Sequence, residues 1–185
     1  MVYRNAGRRS WRSRDALARA AILDWLKEPN VNVTLVEVAY GARDYVLSDL
    51  AHHPRVTHVP VRAATTAWSK ENCLNIGVAH LPQCAKYVGT FDADIHFRKA
   101  GWAGETVHAL QLYPVIQPWK TALDLGPNDE LIQTHTSFAS ISMGAVPSRR
   151  GDPRSGNSTA ARMTIRTVDS RGPGRATCST ESGVS

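Results

Sequence analysis

Two carboxylates one residue apart, Asp92 and Asp94, close the apolar segment KYVGTFDADIHF at residues 86–97. Like charges that close repel, and each needs water or a cation. In an extended segment residues i and i+2 point the same way, so both carboxylates face one spot. A hard divalent cation suits that arrangement, because Mg²⁺ is usually held by one or two carboxylates together with phosphate oxygens. The plainer alternative is a solvated strand end. His96, two residues past Asp94, could also reach a cation, and could equally be structural or solvated.

The elements that must position these groups read as alternating helices and strands. Ser13 with Arg14-Asp15 predicts a helix start, followed by a stripe of Leu17, Ala18, Ala21, Ile22, Trp25 and Leu26 at helical spacing. Pro29-Asn30 ends it. VNVTLVEV (31–38) is rich in β-branched residues and predicts a buried strand, broken at Gly41. ARDYVLSDLA is a short helix candidate, and RVTHVPV (55–61) a second strand. Trp68 to His80 predicts a helix despite Gly77, and KYVGTFD (86–92) a third strand. Glu105–Leu112 reads as a helix and PVIQPW (114–119) as a short fourth strand.

Connections too long for hairpins imply parallel strands with helices on the faces, an α/β layered domain. In such sheets ligands gather outside the carboxyl ends of the strands. Asp92 and Asp94 follow the third strand, and Glu37, near the end of the first, is expected to open onto the same edge.

Composition narrows the class. The chain has 185 residues, 42% apolar, enough for one domain with a core and a tail. It contains no run of 18 apolar residues, so no integral membrane segment is expected. Cys73, Cys84 and Cys178 lack C-x-x-C spacing and fit reduced thiols, hence a cytoplasmic location. The net charge of +6 sits at the ends: five Arg and no acid in 1–14, seven Arg against three acids in 149–185. The body between carries 10 basic and 13 acidic residues, which argues against nucleic acid as a partner. Residues 149–185 keep no period of 2 or 3.6 and are expected to be disordered. The abrupt change there fits translation in a shifted reading frame, and the other two frames of the coding DNA test that. MVYRN reads as a loop whose entering strand has been cut away.

WSKENCLNIGVAHLPQCAKYVGTFDADIHF resembles the central motif region of GT-A-fold glycosyltransferases, most closely family 2 and the related galactosyltransferase-type enzymes. Leu74-Asn75-Ile76-Gly77 stands for the family's L-N-x-G element and Asp92-Ala93-Asp94 for its D-x-D, in the family's order and approximate spacing. VTLVEVAYG (33–41) looks like its second strand, and YRN like the loop after its first. The resemblance spans roughly residues 2–120, and the whole GT-A-like domain is expected over 1–145, with the donor half best defined in 13–120.

The resemblance implies an incomplete GT-A-like, Rossmann-like domain that binds a nucleotide-diphospho-sugar donor with Mn²⁺ or Mg²⁺ and transfers the sugar to an acceptor it does not identify. By carry-over, Asp94 is the direct metal ligand and Asp92 contacts ribose and supports the metal, while His135 stands either for the later metal ligand of some GT-A enzymes or for a structural or solvated histidine. Asn75 positions the donor, and Glu37 contacts base or ribose where aspartate is more usual. Lys70 contacts phosphate or is solvated. The cation would stabilise the departing diphosphate as a Lewis acid.

The chain departs from the family after residue 120. A general base for the acceptor hydroxyl is needed, and nothing there matches the family's E-D or D-D element. Asp129-Glu130 is a weak candidate, since PNDEL also reads as a loop feeding a helix start. Two alternatives therefore stand beside the transferase: an inactive fragment with at most nucleotide binding, and a sugar-phosphate nucleotidyltransferase. NAGRRS is a poor match to the Gly-rich loop of the latter.

Overall fold

The structure is a computed structural model that describes residues 1–5, 12–67, 69–126, 128–138 and 164–167. Its centre is a three-stranded parallel sheet, ordered β1 (Val2–Asn5), β2 (Val33–Tyr40), β3 (Val56–Ala63). β2 lies in the middle, with Val36 opposite Val2 on one side and Val59 on the other. MVYRN is thus a strand, not the expected loop: Met1 carbonyl accepts from Val36 N–H at 2.9 Å and anchors it to β2.

β2 is buried on both faces, as apolar residues on both of them require. Val33 and Leu35 face the helix α1 (Arg12–Trp25), packing with Ala18, Ala21, Ile22, Trp25 and the following Leu26. Leu17, expected in that stripe, is 47% exposed and lies outside it. Val36, Val38 and Tyr40 face the other way, with Cys73 and Ile76 of the helix α2 (Lys70–Ala79) against them. Gly77 suits this layer: a Cβ there would stand 3.1 Å from Val36 Cγ2.

After β2, Gly41 turns the chain with a φ of +59°, a conformation that glycine takes without a Cβ penalty. The expected helix over ARDYVLSDLA shrinks to a 3₁₀ turn at Ser48–His52. Its Leu47 and Leu50 plug the α1 side of the core. Arg55, entering β3, donates to the carbonyls of Leu26, Glu28, Pro29 and Val31, closing the C-terminal end of α1. These carbonyls lie past Trp25, the last residue of α1, and a cation beside that helix end also suits its dipole.

Beyond α2 the expectation of one mostly parallel sheet does not hold. β4 is short (Tyr87–Thr90) and β5 is two residues (Val115–Ile116). Both pair antiparallel with β8 (Thr164–Thr167), which lies between them. These four residues therefore depart from the disorder expected of 149–185, whose remainder lies outside the described residues. α3 (Trp102–Leu110) precedes β5. β6 (Thr121–Leu125) and β7 (Leu131–Thr136) form an antiparallel hairpin that the sequence reading did not anticipate. Residues 128–130 of PNDEL lie in the turn of that hairpin and do not start a helix, with Asp129 at φ 60°.

An aromatic group ties the segment after β4 to α1. Phe91 meets Trp25 at 5.2 Å and Trp102 at 5.6 Å, and Phe97 stacks on Trp102 at 3.8 Å. Trp25 Nε1 donates to Ile95 carbonyl at 3.0 Å, and Gly101 N–H to buried Glu28 Oε1 at 2.7 Å. Trp25→Phe keeps an aromatic ring here and removes the donor. It is expected to cost about 1–2 kcal/mol, since a carbonyl loses its partner and a small void opens. Urea denaturation measures it, and an unchanged midpoint would mean that this hydrogen bond contributes nothing to the tie.

Candidate functional site

The D-x-D segment leaves β4 through Phe91 and turns at Ala93-Asp94, so it is not the extended segment expected. The two carboxylates consequently differ in surroundings. Asp92 is half-buried and accepts from Lys70 Nζ through Oδ1. Lys70 is the first residue of α2, so that helix start and the end of β4 meet at this ion pair. Asp92 also acts on the α-amino group of Met1, whose pKa burial pushes down to about 6 while the carboxylate opposes the shift. The Asp94 side chain is exposed and makes no hydrogen bond or ion pair with the described residues. Lys70, expected to contact phosphate or to be solvated, is paired with Asp92 here.

Glu37 does not open onto an edge. It is 0% exposed, pointing to the α1 side of β2. Its Oε1 accepts from Val46 N–H at 2.6 Å, both oxygens lie within 3.4 Å of Leu47 N, and Oε2 meets His58 Nε2 at 2.8 Å. In the register Leu35 faces His58, so Glu37 and His58 are diagonal neighbours on one face. With these partners Glu37 ties β2 to β3 and to the chain after β2, and the expected opening onto the sheet edge is corrected here. The missed signal was in the sequence: a charge inside an apolar strand must be paired, and His58 in RVTHVPV is a polar residue in the neighbouring strand. The tie extends outward. His58 meets the Tyr45 ring edge-on at 5.9 Å, and Arg62 lies 5.0 Å over that ring while donating to the carbonyls of Gly41 and Arg43.

The remaining candidates scatter. Asn75 is exposed on α2, away from the face that packs on the sheet. His96 Nδ1 lies 3.7 Å from Asp24 Oδ2, at the C-terminal end of α1, and is not directed at Asp92 or Asp94 by any contact shown. His135 Nε2 pairs with Asp124 Oδ2 at 2.9 Å across the hairpin. Glu130 Oε2 accepts from Asn128 N–H at 2.8 Å, a local turn contact, and Asp129 stands exposed beside it. Among the described residues no group of three or more His, Cys, Asp or Glu is arranged to hold a metal. What the D-x-D turn offers is hard oxygen from two carboxylates, one open and one shared with an ammonium. That donor chemistry fits Mg²⁺ or Mn²⁺ when phosphate oxygens complete the shell.

A cavity of about 90 Å³ lies between α2 and the strands, lined by residues that include Val2, Thr34, Val36, Leu74, Gly77 and Val88. It contains neither aspartate of the turn. Cys73 and Cys84 are free thiols, the first buried and the second exposed, while Cys178 lies outside the described residues. No helix among the described residues is long and apolar enough to cross a membrane.

No protein-family model, curated protein or solved structure matches the chain.

Proposed function

We propose that the chain is a glycosyltransferase-like domain that binds a nucleotide-diphospho-sugar donor at the turn after β4, in the manner of GT-A enzymes. The observation that carries this reading is the ion pair of Lys70 with Asp92 where α2 begins and β4 ends, two residues before Asp94, an exposed carboxylate with no partner among the described residues. A diphosphate needs cationic neutralisation, and this place has an ammonium together with carboxylates that can hold a divalent ion. A parallel β1–β2–β3 sheet with helices on both faces, the coarse part of the resemblance, supports the reading.

In this reading Asp94 holds Mn²⁺ or Mg²⁺, Asp92 supports it, and Lys70 turns to a phosphate oxygen. The bound ion would supply Lewis-acid stabilisation of the departing diphosphate. Glu37 serves by holding the chain after β2 in place rather than by touching the nucleotide. Transfer from donor to acceptor is the family's activity.

A second reading, nucleotide binding without transfer, is favoured by the hairpin. Asp129 and Glu130 lie in its turn, where Glu130 is spent on Asn128, and no base is assigned to the acceptor hydroxyl. General-base help contributes roughly 10²–10⁴-fold, so turnover is expected to be very low even where the donor binds. A donor-hydrolysis and transfer assay with Mn²⁺ and a panel of sugar nucleotides separates the two. Metal-dependent binding without turnover selects the second reading, and brisk transfer the first. Absence of metal-dependent binding to any nucleotide defeats both.

A further inference from the structure

We propose that the open face of the β6–β7 hairpin is a dimer interface, on which a second copy of this chain packs its own hairpin antiparallel. The hairpin is inside out. Its register puts Leu123 opposite Thr134 and Leu125 opposite Leu131, and the shift after Asp124 adds Ile132 beside Leu131, where two residues of β7 oppose one of β6. Followed outward from these pairs, the alternation of side chains gathers the four aliphatic residues on one face, and threonines fill its other places. Leu123 is 39% exposed, Leu125 52%, Leu131 59% and Ile132 67%. The opposite face carries Asp124, Gln133 and His135, and there Gln133 and His135 are half-buried. An antiparallel pair with one wet side ordinarily turns its apolar face inward and its polar face to water. Here the order is reversed, and the apolar face has no cover among the described residues. A two-stranded hairpin is also marginal by itself and gains stability from a further layer.

Charge points to a second copy as that layer. The apolar face bears none, so it meets its own image without repulsion, as a two-fold interface requires. The ends of the hairpin, by contrast, are opposite in sign. Exposed Lys120 precedes β6 at the open end, while exposed Asp129 and Glu130 lie in the turn. Antiparallel stacking about a two-fold axis sets Lys120 of each copy against the acidic turn of the other. A parallel stack would set like charge against like at both ends. Sheets packed face to face lie about 10 Å apart, a gap that Leu and Ile side chains from both sides fill. Four aliphatic side chains make a face well below the roughly 800 Å² per partner of a standard interface. The pair is therefore weak, with a Kd on the order of 10 µM.

Sedimentation equilibrium on the full chain, over about 1–300 µM, is expected to show monomer and dimer in exchange. Ile132→Lys and Leu123→Lys each bring two like charges into the same small interface and should loosen it more than tenfold. Lys120→Glu sets acid against acid at both ends and should loosen it about fivefold. All three positions are exposed, so thermal unfolding of the dilute chain, followed by circular dichroism, should stay near wild type. A chain that remains monomeric at the highest concentration overturns the proposal. So does a mass that climbs past two copies, or a dimer indifferent to Ile132→Lys and Leu123→Lys. A dimer that ignores Lys120→Glu overturns the antiparallel arrangement. A monomer destabilised by Ile132→Lys would mean that the chain covers this face itself, and that result also removes the second copy.

Discussion

Glu37→Ala is expected to destabilise the fold by about 3–5 kcal/mol, the scale of removing one partner of a buried charged pair. The methyl group leaves Val46 N–H, Leu47 N–H and His58 Nε2 facing a space from which water is excluded. Each polar group stranded in that way costs its desolvation. Glu37→Gln should cost less, about 1–3 kcal/mol, since one oxygen survives to accept while the amide brings donors where donors already point. Urea denaturation with an unchanged slope measures both. A double-mutant cycle with His58→Ala then isolates the pair. The outcome also decides between two roles. A carboxylate that contacted nucleotide from a cleft would leave stability nearly intact on removal and lower nucleotide affinity instead. That result would put Glu37 back at the donor site.

Asp94→Asn carries the second large effect, with the opposite profile. Its side chain is exposed and has no partner among the described residues, so folding stability should stay within about 0.5 kcal/mol. Metal-dependent nucleoside diphosphate binding should fall by about 100-fold or more, beyond the 10–100-fold seen when only a supporting residue of a metal site is changed. The amide keeps the shape and one oxygen but loses the charge that holds a hard cation beside phosphates. Asp92→Asn should weaken binding less, because its expected partners include ribose hydroxyls as well as the ion. That variant should also cost some stability, since Lys70 loses its acceptor. Calorimetry with and without Mn²⁺, on both variants, reads these differences. Unchanged Mn²⁺-dependent binding in Asp94→Asn would place the donor elsewhere or nowhere.

Much of the local structure was legible in the chain. The β-branched run at 33–38 is a strand because a segment with apolar residues on both of its faces must be covered on both, and it is. Ala18, Ala21, Ile22, Trp25 and Leu26 recur at helical spacing, which aims all of them at the sheet. Gly41 marks the end of β2 because the backbone needs a positive φ there. The motif spacing likewise brought Asp92 and Asp94 to the end of a strand. Such features depend on periodicity and on single-residue conformational limits, both of which a sequence carries in full.

What the sequence left open are relations between distant segments. Glu37 and Asp94 are both acids near strand ends, yet one is sealed by His58 and two amides while the other faces solvent. That difference depends on the register of β3 against β2 and on the path of residues 41–47, neither of which has a local signature. Lys70 and Asp92 lie 22 residues apart, and only the docking of α2 beside β4 makes them an ion pair. The antiparallel pairing of β4 and β5 with 164–167 was equally illegible, because a four-residue strand shows too little alternation to stand out. The hairpin β6–β7 escaped for a similar reason: its turn holds Asp129 and Glu130, acids that also favour helix starts. Residue types thus determined which groups could do chemistry, while pairing in space decided which of them are free to do it.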